Sequence, residues 1–315
     1  MSAHPIPLEF PVLRWELTRN RLSRFSAACG MSRSEGTIHD DEEGARAVGL
    51  TAPIGYGMLS ATILSRAITD VIGAGNVRRL STRFVKPSQI GEMLETRVTV
   101  EDVEQLEHAV RANLRCLVAT TTGEERVRGT ASVILSTSDP LGHGDNGRAA
   151  SDDAHGPPDG ASIVVVERGP VSNFASSADE SNPEYFDVNA ARARHHPDIP
   201  APPTFGLDAT MEYWGKWPEL QPSRIAPDAM LEATETLERL AGPGLVLHAG
   251  QLFEYRRPIY VGDVLIGTSK MGEPRSVDGR GRRLTFLEFE SRWSDYRTGE
   301  GLMKSCMTLV APRAP

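Results

Sequence analysis

The stretch His39-Asp-Asp-Glu-Glu-Gly-Ala-Arg-Ala-Val-Gly-Leu50 is followed closely by Pro53-Ile-Gly-Tyr-Gly-Met-Leu-Ser-Ala-Thr-Ile-Leu-Ser65, and together they decide the fold. The first contains a histidine, which is a potential acid/base group. It is followed by a segment (42–48) with acidic residues first and a basic residue later, an order that suits the dipole of a short helix. The second opens with glycines and continues to Ile72 as a pattern that is apolar nearly all round. It predicts a helix over 57–72 that other elements must wrap.

The strands that should wrap this helix are predicted from the residues that follow it. β-Branched residues recur there between turn-prone breaks, which indicates strands at 80–85, 93–103, 109–120 and 125–135. Ahead of His39, Thr18 is expected to cap a helix that runs through Ala28 and stops at Gly30. A buried helix backed by antiparallel strands is an α+β unit.

An internal repeat shows that the unit occurs twice. Four positions have counterparts 146 positions later, and three of the four residues are identical: His39, Asp41, Ala45 and Arg46 correspond to Tyr185, Asp187, Ala191 and Arg192. Phe84-Val-Lys-Pro87 and Gly91-Glu-Met-Leu94 return 171 positions later as Tyr255-Arg-Arg-Pro258 and Gly262-Asp-Val-Leu265. The second copy therefore holds about 25 extra residues, which a surface loop tolerates well.

We therefore expect two domains, 1–136 and 163–315, joined by a flexible linker at 137–162 that is rich in Gly, Ser, Asp and Pro. The second domain should open with a strand at 163–166 and helices at 170–178 and 188–194. Its central helix is expected at 204–217, and its insertion, near 218–244, contains a helix at 228–240. Four strands are expected to begin near Leu245, Val264, Leu284 and Leu302.

Charge and composition argue against nucleic acids and anionic membranes as partners. The formal net charge is −8, and no long run of one sign points to nucleic acid or to an anionic membrane. Cys29, Cys116 and Cys306 are odd in number and lack metal-binding spacing, so we expect no metal, no cofactor and a reducing, cytoplasmic setting. We also expect neither a signal peptide nor a membrane span.

The motifs resemble a known family. Ile38-His39-Asp-Asp41, Pro53-Ile-Gly-Tyr-Gly-Met-Leu59 and Arg83-Phe-Val-Lys-Pro87 resemble the MaoC-like (R)-specific enoyl-CoA hydratases and dehydratases. The second half resembles the companion half of that family in Asn182-Pro-Glu-Tyr185 and Ala201-Pro-Pro-Thr-Phe205. The resemblance implies a double hot dog, an α+β fold in which two central helices are each wrapped by an antiparallel sheet.

In that family an Asp and a His of an Asp-x-Asn-Pro-x-His signature add or remove water across a thioester-conjugated double bond. By position, His39 matches the catalytic histidine and Gly57 the oxyanion donor. The resemblance further implies that Ser65 lines the same pocket. The acid position holds Ser34, with Glu35 as the nearby carboxylate, and Tyr56 replaces a usual histidine. In the second half, Glu180 and Tyr185 stand at the Asp and His positions, as in non-catalytic halves.

Three functions follow as expectations. The first is a hydro-lyase acting on a 2-enoyl or 3-hydroxyacyl thioester of coenzyme A or an acyl-carrier protein, with His39 as acid/base and Glu35, or a water held by Ser34, as its partner. The second is a degenerate subunit that binds acyl thioesters, or a catalytic partner, without chemistry of its own. The third is a thioesterase on the same fold. A homodimer is compatible with all three.

Overall fold

The computed structural model describes residues 6–29, 37–136, 161–206, 229–242, 244–279 and 282–313. In the first half a short strand is followed by three helices and then four strands. They are β1 (Arg14–Glu16), α1 (Arg19–Ala28), α2 (Glu42–Ala47), α3 (Gly57–Ile72), β2 (Val77–Phe84), β3 (Met93–Gln105), β4 (Ala109–Thr120) and β5 (Glu125–Ser136). The predicted Thr18 cap of α1 is present, because its side chain accepts a hydrogen bond from the backbone N–H of Arg21.

The second half repeats much of this order. It contains β6 (Ser162–Val165), α4 (Arg168–Ser177), a 3₁₀ turn (Pro183–Tyr185), α5 (Val188–Ala193), α6 (Ala229–Ala241), β7 (Leu247–Tyr255), β8 (Val264–Met271), β9 (Arg275–Gly279), β10 (Arg282–Asp295) and β11 (Gly301–Arg313). The helix expected inside the insertion is α6. The short strand β9, which pairs with β10, was not predicted.

All eleven strands belong to one sheet, whose order is β1-β3-β4-β5-β2-β7-β11-β10-β8-β6 with β9 beside β10. The two halves meet where β2 pairs antiparallel with β7, with Leu80 opposite Phe253. The sheets of the two halves therefore join side by side, as a double hot dog requires. The expected fold class, α+β with antiparallel strands around a central helix, is confirmed.

The helix α3 occupies the centre of the first half. Twelve of its sixteen residues are buried, including both serines and both threonines, and it packs against β2, β3, β4 and β5. Leu59, Leu64 and Ile68 are fully buried on it. Burial of this extent explains why the sequence pattern is apolar on nearly every face, since the sheet covers one side and the second half another.

The strand β2 begins at Val77, three residues before the predicted start, and most other bounds agree within two residues. The helix expected at 204–217 is not found at its start, because 203–206 form a turn; the remainder lies outside the described residues. A Pro-Pro pair immediately precedes Thr204, and such a pair favours an extended or turn conformation over helix. The predicted linker, apart from 161–162, and much of the predicted insertion also lie outside the described ranges.

Candidate active site

His39 lies in the turn between α1 and α2. Its Nδ1 is 2.8 Å from the carbonyl oxygen of Ile54. The backbone N–H of Ile54 donates in turn to the carbonyl oxygen of Ile38, the residue before His39. A carbonyl oxygen can only accept, so Nδ1 carries the proton in the neutral ring. The lone pair is therefore on Nε2, which makes no hydrogen bond to any described residue, and this nitrogen is the basic atom of the site.

The surroundings of His39 keep its ring neutral. Burial lowers its pKa from the ordinary value, and the Ile54 carbonyl and the Asp40 carboxylate offset this only in part. The ring of Tyr56 lies against it, with the two centroids 3.8 Å apart and the planes 33° from parallel. A neutral imidazole with a fixed tautomer is suited to accept a proton at neutral pH.

Tyr56 ends with a buried hydroxyl that forms no regular hydrogen bond in the described part of the chain. Burial raises its pKa, and the hydroxyls of Ser26 and Thr37 lie near enough to lower it in part. The Ser26 hydroxyl is also buried and lacks a partner among the described residues. Sequence reasoning did not single out Ser26, because on α1 it reads as an ordinary residue of an amphipathic helix.

The N-terminus of α3 begins directly after Tyr56. Tyr56 is the N-cap residue and supplies no side-chain cap, so the first N–H groups of the helix lack the partner that a Ser or Asp cap would provide. A Cβ at Gly57 would lie 2.7 Å from a ring carbon of Phe84, so the glycine is required by close packing. The uncapped N-terminus of α3 therefore directly follows the residue whose ring lies against His39. The role of Gly57 as oxyanion donor stays a prediction.

The predicted acid partners Ser34 and Glu35 lie outside the described residues. The two carboxylates that follow His39 in sequence have other tasks. Asp41 caps α2 by accepting from the N–H of Gly44, and Asp40 accepts from the backbone and hydroxyl of Thr37. Because of these hydrogen bonds, neither carboxylate is positioned as the second acid/base group.

Ser65, Glu180 and Tyr185 come together in a second pocket, which lies between α3 and the start of the second half. This differs from the expectation that Ser65 shares a pocket with His39, since His39 is not among the residues that line this one. Ser65 donates to the carbonyl oxygen of Thr62 at 2.9 Å, one turn earlier. Eight residues along a helix separate it from Gly57 by about 12 Å, which explains the difference.

Sequence reasoning missed Arg66, which lines this pocket, and Asp70, which pairs with Arg66. Arg66 Nε lies 3.3 Å from Asp70 Oδ2 and 3.9 Å from Glu180 Oε1. Both carboxyl groups have raised pKa values, chiefly because of burial. The available signal was an Arg-x-x-x-Asp pair on an otherwise apolar helix, since charges at such positions need partners.

Comparison with known proteins places the chain in a family. The region 35–121 matches a model described as MaoC like domain, and 159–304 matches one described as FAS1-like, dehydratase domain region. A UPF0336 protein of Streptomyces coelicolor is 33% identical over 149 residues, which are 47% of this chain and 85% of that protein. The chain belongs to the MaoC-like dehydratase family. A UPF0336 protein of Leifsonia xyli is also similar, with 33% identity over 146 residues, 46% of this chain and 84% of that protein.

Solved structures share the fold of this chain. A putative MaoC domain protein dehydratase from Chloroflexus aurantiacus superimposes with a TM-score of 0.66 at 12% identity, covering 100% of both chains. A conserved hypothetical protein from Mycobacterium tuberculosis, described as having a double hot-dog fold, gives 0.58 at 13% identity over 96% of each chain. At these identities the likeness shows the fold alone.

Metal-ligand clusters and membrane-spanning helices are both absent from the described residues. Across the described ranges, no three His, Cys, Asp or Glu side chains cluster as metal ligands. None of the helices in these ranges is long and apolar enough to cross a bilayer. The three cysteines form no disulfide bond.

Proposed function

We propose that this MaoC-like protein is a hydro-lyase that adds water to a 2-enoyl thioester, or removes it from a 3-hydroxyacyl thioester, of coenzyme A or a carrier protein. The observation that carries the proposal is the hydrogen bond between His39 Nδ1 and the Ile54 carbonyl oxygen. It leaves Nε2 as the base, on a ring that lies against Tyr56, the N-cap residue of α3.

In the hydration direction Nε2 of His39 takes a proton from water as the water oxygen bonds to C3 of the enoyl group. The electrons of the double bond move toward C2 and the thioester carbonyl, whose oxygen becomes negative. The N–H of Gly57 and the positive end of the α3 dipole stabilise that oxygen. A proton then bonds to C2, which completes the 3-hydroxyacyl product.

The second proton carrier in this proposal is Glu35, or a water held by Ser34. Alternatively, the imidazolium formed at His39 returns its own proton to C2 on the same face of the substrate. Glu35→Gln removes the acid and nearly preserves the size of the side chain, and Ser34→Ala removes the hydroxyl that would hold the water. Together the two variants separate these routes.

The test is hydration of crotonyl-CoA and of a longer 2-enoyl-CoA, followed by loss of the conjugated enoyl absorbance. Turnover by the wild type but not by His39→Ala is expected. Retained turnover in both Glu35→Gln and Ser34→Ala would assign both proton transfers to His39. Saturable acyl-CoA binding with no turnover at any chain length would contradict the proposal and favour the binding role. Release of free thiol would instead indicate a thioesterase.

A further inference from the structure

The ring of Tyr56 lies against a face of the His39 ring, with the centroids 3.8 Å apart and the planes 33° from parallel. The Ile54 carbonyl oxygen contacts the imidazole at its edge, where it accepts from Nδ1 at 2.8 Å. The imidazole is therefore held from two directions, along one edge and across one face. The edge that carries Nε2 makes no hydrogen bond to any described residue.

Both contacts come from one short segment that backbone hydrogen bonds hold in place. The N–H of Ile54 donates to the carbonyl oxygen of Ile38 at 3.0 Å, and the N–H of Gly55 donates to that of Ser88 at 2.9 Å. Tyr56 follows in an extended conformation, with φ of −65° and ψ of 121°, before α3 begins. The segment therefore fixes the Tyr56 ring relative to the acceptor of Nδ1.

Aromatic packing also holds the Tyr56 ring in place. The Phe25 ring of α1 lies 5.7 Å from it at an interplanar angle of 46°, and the Phe174 ring of the second half lies 5.8 Å from Phe25. Tyr56 is 8% exposed, and both phenylalanines are fully buried. The Tyr56 ring thus has little freedom to move away from His39, and the contact is kept when the imidazole gains a proton.

The charge of the imidazole changes during the proposed reaction. His39 starts neutral and becomes an imidazolium when Nε2 takes a proton from water. Burial disfavours that charge, and the Ile54 carbonyl and the Asp40 carboxylate offset the burial only in part. Among the described residues, Asp40 and Tyr56 are the titratable groups beside the ring, and Cys29 acts on the Tyr56 hydroxyl. Because the face of an aromatic ring is negative and attracts a cation within about 6 Å, Tyr56 favours the imidazolium over the neutral imidazole.

We propose that Tyr56 is a positioning residue for His39: its ring holds the imidazole in place and stabilises it while it carries the proton taken from water. The part played in catalysis rests on the proposed function, whereas the effect on the protonated ring does not. No bond to Tyr56 forms or breaks. The face of the ring makes the contact, so the hydroxyl is not required.

The first test measures the proton affinity of His39 without any turnover. An NMR titration of the imidazole C–H signals gives the pKa of His39, and the His39→Gln variant identifies its signal among those of the eight histidines. Tyr56→Leu should lower this pKa by about 1, the effect of one partly buried cation–ring contact, whereas Tyr56→Phe should keep it near the wild-type value. The matched control is Tyr260→Leu, which removes another buried tyrosine, 5.8 Å from the ring of His196, and should leave His39 unchanged.

A fluorinated ring separates the electrostatic contact from the packing. Replacement of Tyr56 by trifluorophenylalanine keeps a ring of similar shape and withdraws electron density from its face. We expect the pKa of His39 to be lower than in Tyr56→Phe, and kcat for crotonyl-CoA to fall by up to about tenfold with a smaller change in KM. Thermal unfolding checks that each variant is folded. The fluorinated protein still gives the answer if Tyr56→Leu does not fold.

Equal pKa values of His39 in Tyr56→Phe and in the fluorinated protein would overturn the proposal and leave packing as the only role of the ring. A lowered pKa in Tyr260→Leu as large as that in Tyr56→Leu would overturn it as well, because the effect would then follow from general loss of packing. The expected pKa changes in a protein that hydrates no enoyl-CoA would support the effect of the ring and contradict the hydro-lyase activity. The two failures are therefore distinguishable.

Discussion

The Nδ1 atom of His39 lies 2.8 Å from the carbonyl oxygen of Ile54, three residues before the central helix begins. This hydrogen bond determines which ring nitrogen carries the proton. It also ties the turn that holds His39 to the segment that leads into the N-terminus of α3. The base and the predicted oxyanion donor Gly57 are thus positioned by one short segment of backbone.

The pH dependence of activity should reflect the lowered pKa of His39. The neutral ring is the active form in hydration, so kcat/KM should fall as the pH drops through a pKa below the ordinary value of about 6.5. A pH-rate profile with crotonyl-CoA measures this. An acidic limb centred above that value would contradict the role assigned to the buried ring.

The same group makes stability depend on pH. Because the folded-state pKa of His39 is lower than the unfolded value, the unfolded chain binds the proton more readily between the two. His39 should therefore destabilise the fold as the pH falls from the unfolded value through the folded one. Urea unfolding at several pH values, compared with His39→Gln, should show a smaller loss in the variant.

The close packing at Gly57 predicts the effect of Gly57→Ala. The new Cβ would meet ring carbons of Phe84 at 2.7–3.0 Å, and the Phe84 ring in turn packs edge-on against His248 at 4.8 Å. We expect a loss of about 1–3 kcal/mol in the free energy of unfolding, together with reduced hydration activity. Adding Phe84→Leu should recover part of the stability. Unchanged stability in the single variant would argue against this packing.

Tyr56 allows its hydroxyl and its ring to be tested separately. Tyr56→Phe removes a buried hydroxyl with no regular partner among the described residues, so stability should stay the same or rise by up to about 1 kcal/mol. Tyr56→Ala also removes the ring that packs on His39 and Phe25, and should cost about 3–5 kcal/mol. Thermal and urea unfolding measure both. A large loss in Tyr56→Phe would mean that the hydroxyl has a partner.

Asp179 holds α1 of the first half against the second half. It pairs with Arg21 and Arg24, and its backbone is left-handed, with φ of 54°. Asp179→Asn keeps a residue that tolerates this backbone and should cost about 1 kcal/mol or less, because the pairs are partly exposed. Asp179→Ala should cost more, since it adds backbone strain. The asparagine effect should shrink between low and high salt, and equal losses in both variants would contradict the account.

The sequence by itself determined the parts that depend on local patterns. These parts are the bounds of α3, the strands that follow it and the spacing from His39 to Gly57. Each depends on residues that are close together along the chain, so hydrophobic periodicity and turn-forming residues indicate it directly. The repeat supplied the second unit by the same reasoning. Two α+β units could therefore be predicted from local patterns and the repeat, and the resemblance of the motifs to the MaoC-like family implied the double hot dog. Ser34 and Glu35 remain predictions.

The tertiary structure decided the relationships that cross between the halves. Ser65 is close to Gly57 in sequence, yet it lines a pocket with Glu180 and Tyr185, which are more than a hundred residues away. That meeting depends on the pairing of β2 with β7 and on the packing of α1 against α4, in which Phe25 and Phe174 are in contact. The Arg66–Asp70–Glu180 cluster arises only there. Which side chains pair in such a cluster depends on burial and on distance in the folded chain. Neither quantity can be read from a local sequence pattern.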